Sequence, residues 1–78
     1  MNKLKLKTAT QDYVVYFYQP EGKGTYGEIR MNIGDDEASV VLHSNEDSGD
    51  YYAFKATKAV KECVDRRNLP FEFTQAWV

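Results

Sequence analysis

His43 and Cys63 are the only histidine and the only cysteine in the 78-residue chain, and together they are the most reactive chemistry it can offer. A thiolate served by an imidazole is a nucleophile for acyl transfer, which requires the two side chains to meet. Cys63 falls on the apolar stripe of a helical segment and His43 in the outward phase of a strand. The two are therefore expected on opposite sides of the sheet, and no catalytic pair is expected. Cys63 reads instead as a small buried hydrophobe. One imidazole and one thiol do not fill a four-ligand zinc site, and a lone cysteine leaves no intrachain disulfide.

Four further patterns are weaker than they look. Gly22-Lys23-Gly24-Thr25-Tyr26-Gly27 matches G-x-G-x-x-G, whose glycines let backbone amides approach a phosphate when a helix follows. Here it lies between two strands, so it reads as a hairpin turn. Asn45-Glu46-Asp47-Ser48-Gly49-Asp50 has the oxygen content of a calcium loop. A calcium loop of the EF-hand type needs glycine sixth and glutamate twelfth, and a loop begun at Asn45 has Asp50 and Ala56 there. Asp47, Ser48 or Asp50 suits the cap of a helix instead. Ser48 lacks a G-x-S-x-G context. The acidic pairs Asp35-Asp36 and Glu46-Asp47 sit in turns, where exposed carboxylates make poor general acids. No catalytic residue, metal or cofactor is expected.

Binding chemistry is better represented. Aromatic residues make up 14% of the chain, and six of them are tyrosines, which combine apolar area with a polar tip suited to interfaces. Lys3, Lys5 and Lys7 near the start and Lys55, Lys58 and Lys61 further on could follow a phosphate backbone, with tyrosines stacking on bases. The formal net charge of −2 supplies no overall attraction to a polyanion. The charge is uneven, however: residues 35–50 hold six acidic groups and no lysine or arginine.

The elements that must carry these residues are set by a change of hydrophobic period near Ser48. Leu4 and Leu6 alternate with lysines, as a lysine-guarded edge strand or a frayed terminus. Residues 13–19 form the strongest strand, apolar on both faces. Residues 20–24 turn. Residues 26–33 alternate cleanly, and 38–43 pair back as a hairpin. From Tyr51 to about Arg67 the spacing becomes helical, with Ala56, Val60, Cys63 and Val64 on one stripe. Asn68 is the expected left-handed cap, and Pro70 forbids continuation. Residues 71–77 alternate again.

The expected fold is one α+β domain over residues 1–78, in the order β-β-β-β-α-β. An antiparallel-dominated sheet of four to five strands carries one helix on one face. In element order alone it resembles the small partial RNase-H-like domains of antitoxins of the HicB type, and order alone licenses no function. The expected core takes Val14 or Val15, Phe17, Ile29, Met31, Ile33, Val40 and Leu42 from strands. It takes Phe54, Ala56, Val60, Cys63 and Val64 from the helix, with Leu69 and Phe73.

The expected role is a non-enzymatic interaction module, homodimeric or bound to another protein through a tyrosine-rich sheet face. Tyr16, Tyr18, Tyr26, Arg30, His43 and Trp77 are its candidate contacts. The alternative is single-stranded nucleic-acid binding through sheet tyrosines and the six lysines named above. No apolar run is long enough to span a bilayer, and the single thiol without an apolar leader suggests the cytoplasm.

Overall fold

The computed structural model describes residues 1–77. Five strands form one antiparallel sheet: β1 (Asn2–Ala9), β2 (Tyr13–Pro20), β3 (Gly27–Asn32), β4 (Ala38–Leu42) and β5 (Glu72–Gln75). Their spatial order is β4-β3-β2-β1-β5. A short 3₁₀ turn, Ser48–Asp50, leads into one helix, α1 (Tyr51–Asp65), which packs across one face. No helix among the described residues is long and apolar enough to cross a membrane.

β1 is neither an edge nor a frayed terminus. It lies between β2 and β5 and pairs with both. Its lysines do not guard an edge; they alternate with Asn2 and Leu4, which are fully buried under α1, and project from the opposite face. A bulge between Leu6 and Thr8 inserts Lys7 as an extra residue opposite β2.

Strand β2 shows which of its two apolar faces meets the helix. Val14, Tyr16 and Tyr18 are completely buried, while Tyr13, Val15, Phe17 and Gln19 remain half-buried on the other face. Tyr16 and Tyr18 are therefore core residues, not surface contacts. The reason is steric complementarity: α1 presents Ala53, Ala56, Ala59 and Val60, and a small-residue helix face leaves room for large rings from the sheet.

The two phenols diverge from that core. Tyr18 donates a hydrogen bond to Asp47 at 2.8 Å and accepts one from the Ser44 N–H at 3.2 Å. Tyr16 donates to the Pro70 carbonyl at 2.5 Å. One hydroxyl thus holds the approach to α1 and the other the segment that leaves it.

The helix ends are specified locally. The Asp47 carboxylate accepts from the Tyr52 and Ala53 N–H groups at 2.9 and 3.0 Å, satisfying two orphan donors of the first turn. At the far end Arg67, not Asn68, takes the left-handed conformation, with φ 55°. Arg67 N–H donates to Val64 and Asn68 N–H to Cys63, the paired bonds of a Schellman ending. The helix is clothed less fully than its sequence suggests. Phe54 is 57% exposed, outside the stripe that meets the sheet, with Lys58 Nζ 4.6 Å from its ring centre.

A second bulge, between Glu28 and Ile29, corrects the phase expected for β4. Val40 pairs with buried Ile29, but Leu42 pairs with Glu28, so Leu42 turns to the uncovered face and is 50% exposed. Ile33, just beyond the end of β3, is also exposed. Val64, Leu69 and Phe73 pack at the margin of the core as expected.

Gly27 owes its place to Tyr18, its partner across β2 and β3. A Cβ at position 27 would overlap the Tyr18 ring and crowd the Leu42 carbonyl. Gly27→Ala should therefore cost about 3 kcal/mol or more in a urea titration, because backbone and a fixed ring both stand in the way.

Burial pushes the Tyr16 hydroxyl from its ordinary value of 10.0 up to about 12, helped by the nearby Cys63. Burial does the same for Tyr18, also to about 12, with the Asp47 carboxylate adding to it. Folding favours the neutral phenols, so their contribution is intact below pH 10 and is lost as the pH rises through about 12. Near-ultraviolet absorbance should show a late phenolate component in that range, coincident with loss of structure by circular dichroism.

Candidate functional site

The structure disperses the six candidate contacts. Tyr16 and Tyr18 are interior. Tyr26 and Arg30 belong to the face of the sheet turned away from α1. His43 lies at the start of the helix, and Trp77 packs on Tyr51 and Tyr52, with ring centres 5.9 and 5.7 Å away. The six lysines separate as well. Lys3, Lys5 and Lys7 line the open sheet face, whereas Lys55, Lys58 and Lys61 ride on α1 on the other side of the molecule. Lys61 is engaged with Asp36 and Asp65, and Lys55 lies near the rings of Tyr51 and Trp77.

His43 does not point away from the helix, as the strand phase implied. The bulge that turns Leu42 to the open face turns the next residue to the helix side, where the exposed His43 places Nδ1 3.0 Å from an Asp50 oxygen. Cys63 lines a cleft beside Pro70 and Phe73, in the last turns of α1. The two are apart because thirteen residues of helical rise separate Asp50 from Cys63, roughly 20 Å. Burial first, then the Glu62 carboxylate, raises the Cys63 thiol above its ordinary value, which disfavours the thiolate.

His43, Asp47 and Asp50 are the group of described residues that could hold a metal, with one ligand atom from each lying within 4.8 Å of the others. Asp47 is already committed: one oxygen accepts from Tyr52 N–H, the other from Ala53 N–H and Tyr18 hydroxyl. The positive end of the helix dipole points at the same place and opposes a cation. Within the cluster Asp47 acts as the helix cap, and His43 pairs with Asp50 beside it.

What remains is the open face of the sheet, built by strand alternation. Lys3 and Lys5 stand between the buried residues of β1, with Lys7 added by the bulge. Tyr13, Val15 and Phe17 succeed one another along β2, and Arg30 stands between the buried Ile29 and Met31 of β3. Cations and rings interleave. Arg30 lies 3.9 Å from the centre of the Tyr13 ring, Lys7 5.5 Å from Phe17 and Lys5 5.5 Å from Phe71. Tyr26 packs on Phe17 at 5.5 Å and is 39% exposed. Two carboxylates share this face, Glu28 paired with Lys7 at 2.8 Å and Glu72 with Lys3 at 3.5 Å. Four cations against two anions make it the basic side of an acidic protein.

Sequence reasoning places Phe17 in the core and so overlooks this arrangement. The signal is nonetheless present: Tyr13, Val15 and Phe17 share the phase opposite to Val14, Tyr16 and Tyr18, and only one set can meet a single helix.

Comparison with known proteins finds no family model, no curated protein and no solved structure that matches the chain. The functional reading therefore rests on the geometry of this face.

Side chains of the open face add little to the fold, while the helix cap adds much. Tyr26→Ala should change stability by less than about 1 kcal/mol. Asp47→Ala should cost about 2–3 kcal/mol, because it strips two helix N–H groups and leaves the Tyr18 hydroxyl without its acceptor. Chemical denaturation of the two variants beside the parent checks the contrast.

Proposed function

We propose that this domain is a non-enzymatic binding module whose open sheet face takes single-stranded nucleic acid. The observation that carries the reading is the interleaving of Lys7 and Arg30 with Phe17 and Tyr13 on one uncovered face, with Lys5 beside the exposed Phe71 ring just before β5. Single-strand binding combines cations that track the backbone with rings on which bases stack, and it tolerates any sequence because every base has a flat face. Cations already resting on rings are poised to move to phosphates as bases take their place. The net negative charge is no obstacle, since the acidic groups of residues 35–50 gather in the loops around β4 and α1.

Homodimerisation is the second reading, and the edge of β4 favours it, where Val41 and Leu42 are 59% and 50% exposed. The open face itself is a poor surface for a symmetric dimer. A two-fold axis would set four cations against four, and like charges across an interface cost several kcal/mol.

Fluorescence anisotropy of a labelled oligothymidylate, titrated at several salt concentrations, tests the first reading. With four cations engaged, log K should fall with log salt at a slope of about −3. Lys7→Ala should make the slope shallower by about 0.7, and Phe17→Ala should weaken binding roughly tenfold. Lys58→Ala, on the helix, should change neither. Affinity insensitive to salt would exclude the proposal, and light scattering that shows a dimer at low and high salt would favour the β4 edge.

A further inference from the structure

We propose that the outer edge of β5 takes an extended peptide from another protein as a sixth strand, seated in the cleft between β5 and α1. β5 ends the sheet and pairs with β1 alone. In an antiparallel ladder, alternate residues direct their backbone groups to opposite sides. Leu6 N–H donates to the Phe71 carbonyl at 2.7 Å, and the register continues that phase through Leu4 with Phe73 and Asn2 with Gln75. The N–H and C=O groups of Glu72 and Thr74 therefore point outward, away from the sheet.

Beside this edge a cleft of about 330 Å³ runs between strand and helix. Ala59, Cys63, Pro70 and Phe73 give it an apolar patch, Asn68, Thr74 and Gln75 add polar groups, and Glu62 and Arg66, paired with each other at 2.9 Å, stand on its helix side. Behind the strand, Gln75 donates to the Lys55 carbonyl at 2.8 Å and accepts from the buried Asn2 amide at 3.1 Å, which pins β5 to the first turns of α1. These bonds hold the edge beside the helix, with the cleft between them.

Two constraints identify the occupant. Donors and acceptors that recur at every second residue are matched by the main chain of an extended polypeptide, the mode of strand addition. A four-residue edge is also small. It cannot supply the ~1,200 Å² that a stable interface between folded proteins buries, so it suits a short segment rather than a second copy of this chain. The apolar patch of Ala59, Cys63, Pro70 and Phe73 then favours aliphatic side chains at the alternate peptide positions that face it. This site faces the helix side of the sheet, and it stands independently of nucleic-acid binding on the open face.

The probe is a capped peptide, Lys-Thr-Val-Thr-Val-Thr-Lys, titrated into isotope-labelled protein and followed by amide spectra and hydrogen exchange. Saturable shifts should centre on Glu72 and Thr74, with at least tenfold slower exchange of their amides, while β4 amides do not move. Thr74→Pro removes the outward donor without breaking the ladder to β1, since edge strands tolerate proline on the solvent side, and it should abolish binding. If that variant does not fold, peptides N-methylated on one or the other alternate set test the same bonds. Methylation of one set should abolish binding, and methylation of the other should leave it intact. The proposal is overturned by no saturable shift at about 5 mM peptide, by undiminished binding to folded Thr74→Pro, by equal effects of the two methylated sets, or by shifts centred on Val15 and Phe17.

Discussion

Two tyrosines laid against an alanine-faced helix are the constraint on which this structure depends. A chain this short has a thin core, and here most of its depth is supplied by Tyr16 and Tyr18 rather than by aliphatic side chains of α1. Burying a phenol is tolerable only when its hydroxyl finds a partner. The partners are what convert packing into architecture: Asp47 before the helix and the Pro70 carbonyl after it. Asp47 in turn caps the first turn of α1. Core, cap and chain entry are one connected arrangement, and a change in any member is felt by the others.

Because those rings are spent inside, the alternate residues of β2 are left outside. Tyr13, Val15 and Phe17 have no second helix to cover them, and the lysines of β1 and Arg30 of β3 lie over or beside their rings. Long cationic side chains can cover apolar surface with their stems and keep the charge in water. The open face is soluble for that reason, and its charge and its rings are both available to a partner of opposite charge.

The glycine-rich segment before β3 shows how a suggestive motif is absorbed by the fold. Gly24 adopts φ 75° and lies against the side chains of Asn45 and Glu46. Gly27 makes way for the ring of Tyr18. Thr25 is bonded to Asn45 in both directions, at 2.9 Å each, so this loop is fastened to the one that precedes α1. The spacing that resembles a phosphate cradle is accounted for by close approaches within the chain. The acidic loop likewise resolves into a cap, since its one buried carboxylate is saturated by donors.

Element type and order were legible in the sequence, because a switch from period two to helical period is a local property written into consecutive residues. The helix from Tyr51, its end before Pro70, the β3–β4 hairpin and the apolar positions Ile29, Met31, Ala56 and Val60 are all consequences of it. Tertiary structure alone decided which side of each element faces which neighbour. β2 is apolar on both faces, so periodicity could not choose between Tyr16 with Tyr18 and Tyr13 with Phe17; one helix of small residues made that choice. Single-residue bulges at Lys7 and near Val41 reversed the phase of the residues beyond them, turning Leu42 to the open face and His43 to the helix side, and an insertion of one residue leaves no mark on composition. The central place of β1 was also beyond local reading. Its strand partners, β2 and β5, lie at opposite ends of the chain from one another, and only the closed sheet brings them to either side of Leu4.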